Sequence, residues 1–103
     1  MGKQRLSREH AFVSVIERIR QKIRERDYFL SLHAEEEMVA DGFDRSDVEN
    51  AILRGSVEKK LTRDPRGTRF RIEGPANDGR WMHVVCRFHE AGELVIITVY
   101  AIG

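Results

Sequence analysis

Three alternating segments in the C-terminal half of the chain bring together residue types suited to RNA chemistry. Arg69, Arg71 and Glu73 alternate with Phe70 and Ile72. Trp81, His83, Val85 and Arg87 alternate with Met82, Val84, Cys86 and Phe88, and Leu94, Ile96, Thr98 and Tyr100 alternate with Val95, Ile97, Val99 and Ala101. Successive side chains of a strand point to opposite faces. The purely apolar sets are therefore assigned to a core, among them Val95, Ile97, Val99 and Ala101. The opposite face then collects Arg69, Arg71, Glu73, His83, Arg87, Thr98 and Tyr100, with Trp81 near one edge. Guanidinium forks bind phosphate bidentately and stay charged at physiological pH. Aromatic rings offer unstacked bases a surface. An imidazole that titrates near neutrality can move the proton of a ribose 2′-hydroxyl. The same set also describes the ordinary solvated face of an antiparallel sheet, with Arg71 and Glu73 as a stabilising charge pair.

His33 falls two residues after Ser31, in a first helical turn, where the helix terminus would aim it at an anion. The alternative is a capping or packing histidine. Cys86 lies on the expected core face and reads as an inert buried thiol. His10, His33, His83 and His89 lack metal-ligand spacing on a common element. Glu35, Glu36 and Glu37 are consecutive, and consecutive residues on a helix do not face each other. No metal or other cofactor is expected.

Helices must position this face. Phe12, Val15, Ile16, Ile19 and Ile23 recur at helical spacing, which predicts a long amphipathic helix over residues 8–26 with Ser7 as its cap. Ser31 predicts a second helix over 31–41, closed by Gly42, with Phe43 folding back on its last turn. A third is expected over about 45–54, capped by Asp44 or Ser46 and stopped by Gly55. From Ser56 the period becomes two, predicting strands over 57–62, 68–73, 81–88 and 93–101 joined by short Gly- and Pro-containing turns. The expected fold is α+β: N-terminal helices on one face of a four-stranded antiparallel meander spanning 56–102.

The 103 residues fit one domain, and 41% hydrophobic with 34% charged residues fits a globular core under a charged surface. One cysteine rules out an internal disulfide and a zinc knuckle, and no apolar run reaches the length of a membrane span. No secretory signal is read at the N-terminus, so a cytoplasmic protein is expected. Residues 1–30 carry eight Lys/Arg against four Asp/Glu, 31–55 two against seven, and 56–103 eight against six. Two basic ends thus flank an acidic middle.

Several stretches carry a family resemblance: Ser31-Leu32-His33-Ala34; the spaced set Met38, Gly42, Phe43, Asp47, Val48, Ile52 and Gly55; Gly67 through Gly74; and Val95 through Tyr100. Together they resemble a bacterial family of uncharacterised small domains similar to the RelE/ParE-like toxins of type II toxin–antitoxin systems. The resemblance covers roughly residues 29–102 and implies a RelE-like fold. It implies metal-independent cleavage of mRNA, often on the ribosome, and neutralisation by a cognate antitoxin protein. Carried over by position, the candidates are Arg69, Arg71, His83, Arg87 and Tyr100 on the sheet, with His33 on the adjoining helix; His83, His33, Arg71 and Tyr100 are the catalytic ones, and Arg69 and Arg87, joined by Trp81 and Thr98 from the alternation, the RNA-binding ones. Related sequences usually place a basic residue before the methionine of the His-Ala motif, where this chain has Glu37. Two other readings stand beside the nuclease: a non-catalytic module that binds RNA or protein, and a homodimer joined through the N-terminal helix.

Overall fold

A computed structural model describes residues 15–103. Residues 15–24 form α1, whose Ile19 and Ile23, one turn apart, are both buried in the core. The predicted start of this helix, its Ser7 cap and Phe12 lie outside the described residues. β1 (Tyr28–Leu30) follows, then α2 (Leu32–Asp41) and α3 (Arg45–Arg54). Ser31 caps α2, its side chain accepting from the Ala34 N–H, and Gly42 closes the helix at φ 73° in the left-handed region. The Phe43 N–H donates to the Met38 carbonyl at 2.8 Å, and its ring is buried as expected. Asp44 and Asp47 form a reciprocal capping box at the start of α3.

Four strands complete the chain: β2 (Ser56–Leu61), β3 (Arg69–Pro75), β4 (Trp81–Phe88) and β5 (Leu94–Ala101). They pair antiparallel in sequence order, as the alternation predicts. The sheet is nevertheless five-stranded and mixed, in the order β1-β5-β4-β3-β2, because β1 pairs parallel with β5. Tyr28-Phe29-Leu30 is too short to show a period, and its pairing with a strand more than sixty residues later leaves no local mark. The four-stranded, wholly antiparallel expectation is corrected accordingly.

The helices cover one face of the sheet. Ile19, Ala34, Met38, Val48 and Ile52 meet Ile72, Met82, Val84, Cys86, Leu94, Ile96 and Val99 in one core cluster. Each such isoleucine or leucine contributes about 1.5–3 kcal/mol when fully buried. Of the expected core set of β5 only Val99 joins the core cluster: Leu94 and Ile96 take core places instead, and Val95 is buried but outside that cluster. The reason is a bulge. Val85 pairs with Thr98 while Cys86 pairs with Ile96, so Ile97 is an extra residue and the parity reverses across it. Val99 returns to the core, Tyr100 takes the open face, and Ala101 is exposed.

β1 covers only the first part of β5, and α2 covers the rest of that edge. The Ser31 hydroxyl donates to the Ile97 carbonyl at 2.8 Å. The Glu37 carboxylate accepts from the Val99 N–H at 3.0 Å, and Asp41 accepts from the Ala101 N–H at 3.0 Å. Two acidic side chains of one helix thus occupy backbone donors that would otherwise be open to another strand. Close packing seats α3 over β3 within the helical layer, where a Cβ on Gly74 would stand 2.0 Å from the Ala51 carbonyl oxygen.

Candidate functional site

The face away from the helices is built in rows across the strands. Tyr100, His83 and Glu73 form one row by register, and Thr98, Val85, Arg71 and Lys59 form the next. The third runs from Phe29 through Val95 to Arg87. Val85 and Val95 are buried here without belonging to the main core, so the polar side chains stand on an apolar floor.

Two hydrogen-bonded sets lie side by side in the first two rows. His83 Nε2 lies 2.9 Å from Glu73 Oε1, and His83 Nδ1 lies 3.0 Å from the Tyr100 hydroxyl. The two rings meet edge to face, with centroids 5.2 Å apart. Only 12% of the His83 side chain is exposed, so solvent does not compete strongly for its nitrogens. The Glu73 carboxylate can only accept, which assigns the proton of a neutral His83 to Nε2 and leaves Nδ1 to accept from the Tyr100 O–H. The Tyr100 hydroxyl also neighbours the Arg71 guanidinium. Glu58 holds that guanidinium through two hydrogen bonds, at 2.6 and 3.1 Å. The Glu58 hydrogen bonds raise the Arg71 pKa above its ordinary value, and Arg71 holds Glu58 below the usual carboxylate range. The hydrogen bonds therefore join carboxylate, imidazole and phenol in one row and guanidinium with carboxylate in the next.

Such an arrangement can relay a proton and neutralise an anion at one point. A proton accepted at the Tyr100 oxygen can move on to His83 Nδ1, with Glu73 stabilising the imidazolium. Arg71 stands beside the same oxygen and would face negative charge developing there.

The other candidates fall at different distances from this centre. Thr98 and Arg87 occupy neighbouring rows of the same face. Arg69 pairs with Asp64 of the β2–β3 connection. Trp81 is exposed at the start of β4, opposite Pro75. His33 is exposed on α2, in the helical layer, and its Nε2 lies 3.4 Å from Glu37. Among the described residues no hydrogen bond or ring contact joins His33 to His83. Cys86 is fully buried and burial pushes its thiol up to about 12, which removes it as a nucleophile.

The expected Arg71–Glu73 pair is replaced by two others: Arg71 takes Glu58, and Glu73 takes His83. Alternation does not mark Glu58, which sits in a second bulge between Val57 and Lys59. The partnership of Glu73 with His83 was legible in principle. The loop from Ala76, whose N–H donates to the Arg80 carbonyl at 2.7 Å, fixes the hairpin register that sets the two opposite each other.

Among the described residues no His, Cys, Asp and Glu side chains gather into a metal-binding group, and no helix is long and apolar enough to cross a membrane. Residues 30–101 match the family described as a domain of unknown function, DUF4258, and the chain belongs to that family. The matched span begins in β1 and ends with β5, so it contains both hydrogen-bonded sets, Glu58–Arg71 and Tyr100–His83–Glu73. No curated protein and no solved structure matches the chain.

Proposed function

We propose that the open sheet face binds mRNA and cleaves it, as an endoribonuclease similar to the RelE/ParE-like toxins, with a cognate antitoxin as its natural partner and the ribosome as one setting for its action. The observation that carries this reading is the double engagement of His83 by Glu73 and by Tyr100, in the row next to Arg71. In this reaction the ribose 2′-hydroxyl gives its proton to the Tyr100 oxygen as Tyr100 passes its own to His83 Nδ1. The 2′-oxygen bonds to the adjacent phosphorus and the bond to the 5′-oxygen breaks. Arg71, released from Glu58, neutralises the phosphorane. The proton then returns through Tyr100 to the departing 5′-oxygen, leaving a 2′,3′-cyclic phosphate and a 5′-hydroxyl. His33, remote from this relay in the hydrogen-bond network, has no part in it.

The test is cleavage of a defined oligoribonucleotide by purified protein, with the ends identified by mass. Cyclic phosphate ends, and no product when the nucleotide 5′ of the cut carries a 2′-deoxyribose, support the mechanism. Cleavage of the deoxy-substituted strand at the same bond contradicts it.

A second reading is favoured by the pairing of both Arg69 and Arg71 with carboxylates. A face so neutralised suits a binding module that engages RNA or protein without cutting. Binding of the oligoribonucleotide with no turnover over hours would select it.

A further inference from the structure

Two large aromatic side chains on the open face take no part in the relay. Trp81, the first residue of β4, is 49% exposed, and Phe29, the middle residue of β1, is 46% exposed. Phe29 belongs to this face because Tyr28 and Leu30 turn into or against the core, and its register partner is Val95. Its ring meets His89 edge-on at 6.4 Å, and His89 is itself held by Glu93 at 2.8 Å. Trp81 shares the parity of His83 and marks the other end of the face. Between Trp81 and the Phe29–Val95–Arg87 row, β4 advances six residues, or about 20 Å at the rise of a strand. The Tyr100–His83–Glu73 and Arg71 rows lie between the two rings.

We propose that Trp81 and Phe29 are base-stacking platforms at opposite ends of the site, so that the face takes an extended single-stranded RNA lying along β4. The class of ligand rests on the nuclease reading; the two-ended geometry is new. Bases in a duplex are already stacked and turn no face outward, so duplex RNA is excluded. A strand spanning both platforms matches the lower end of single-strand footprints, about 4 nucleotides.

Trp81 is the sole tryptophan of the chain, so its emission reads one platform directly. The probes are a short single-stranded oligoribonucleotide, the oligodeoxyribonucleotide of the same sequence, which lacks the 2′-hydroxyl, and the duplex of the oligoribonucleotide with its complementary RNA strand. Both single strands should quench Trp81 saturably and the duplex should not. Phe29→Ala should weaken the deoxy strand's binding about tenfold, and Phe29→Tyr should restore it. Anisotropy of an end-labelled strand supplies an independent affinity, and circular dichroism confirms that the variants are folded. Binding without quenching, equal binding of the duplex, an affinity unchanged in folded Phe29→Ala protein, or no binding at all overturns the proposal. Cleavage scored in the same ribonucleotide samples separates the two ideas. Quenching without cleavage keeps the platforms and removes the nuclease, and cleavage without quenching does the reverse.

Discussion

At the scale of single residues, Glu58 is the side chain that decides whether Arg71 is available. Its two hydrogen bonds occupy the guanidinium edge that a phosphate would take. Exchanging Glu58 for Gln should therefore tighten binding of a short single-stranded RNA about two- to fivefold, the range expected for releasing a solvent-exposed ion pair. Equilibrium titration at fixed salt measures this, and an unchanged affinity would place the phosphate away from Arg71. Most of the residues in the network were visible in the sequence, because the alternation in β3 and β4 is regular and assigns Arg71, Glu73 and His83 to one face. The partner of Arg71 was not. A two-residue period gives the face of a side chain but not the direction in which it reaches. Arg71 therefore reads as the partner of Glu73 until the bulge at Glu58 is known.

At the scale of elements, two close contacts add to the core that the sheet shares with its helices. Gly74 lets β3 pass directly beneath Ala51 of α3, so Gly74→Ala must push strand and helix apart. A loss of about 1–3 kcal/mol is expected. It should appear as a fall in thermal midpoint of roughly 4–8 °C for each kcal/mol in a domain of this size. At the other edge, Glu37 and Asp41 occupy the Val99 and Ala101 donors. Replacing Glu37 by Ala leaves a half-buried N–H without its acceptor, at a cost of about 1–3 kcal/mol, and opens the edge of β5. Chemical denaturation should show the loss, and light scattering should show growth of larger species on warming. Retained stability would mean that water serves Val99 as well as Glu37 does. The helices themselves were legible, since Ser31, Gly42 and Asp44 are strong local signals and each acts where the sequence places it. Non-local features were hidden: the parallel β1 and the bulge at Ile97 both arise from pairing between distant segments.

At the scale of the whole molecule, Tyr28 ties β1 to α3 through a 2.5 Å hydrogen bond to Glu49. Burial, followed by that carboxylate, pushes its phenol up to about 12 from an ordinary 10.0. A raised folded-state pKa means that the stabilisation is complete below pH 10 and is lost as the pH rises from about 10 through about 12. Urea midpoints measured across that interval should fall in the wild type. Tyr28→Phe, which cannot ionise, should lack this component of the fall, and an identical slope in both proteins would remove Tyr28 as its cause. The fold and the network thus meet in one arrangement: helices and α2 carboxylates close one face and one edge, and the polar row of Tyr100, His83 and Glu73 is left on the other face.

The most direct measurement of that arrangement's purpose is single-turnover cleavage of one oligoribonucleotide by wild type, His83→Asn and Tyr100→Phe, each with native circular dichroism and a measured strand affinity. The wild type should cleave and both variants should lose about 10²–10⁴-fold, with affinities for the strand within a few-fold of one another. A wild type that binds but never cuts, or variants that cut at the wild-type rate, would contradict the nuclease reading.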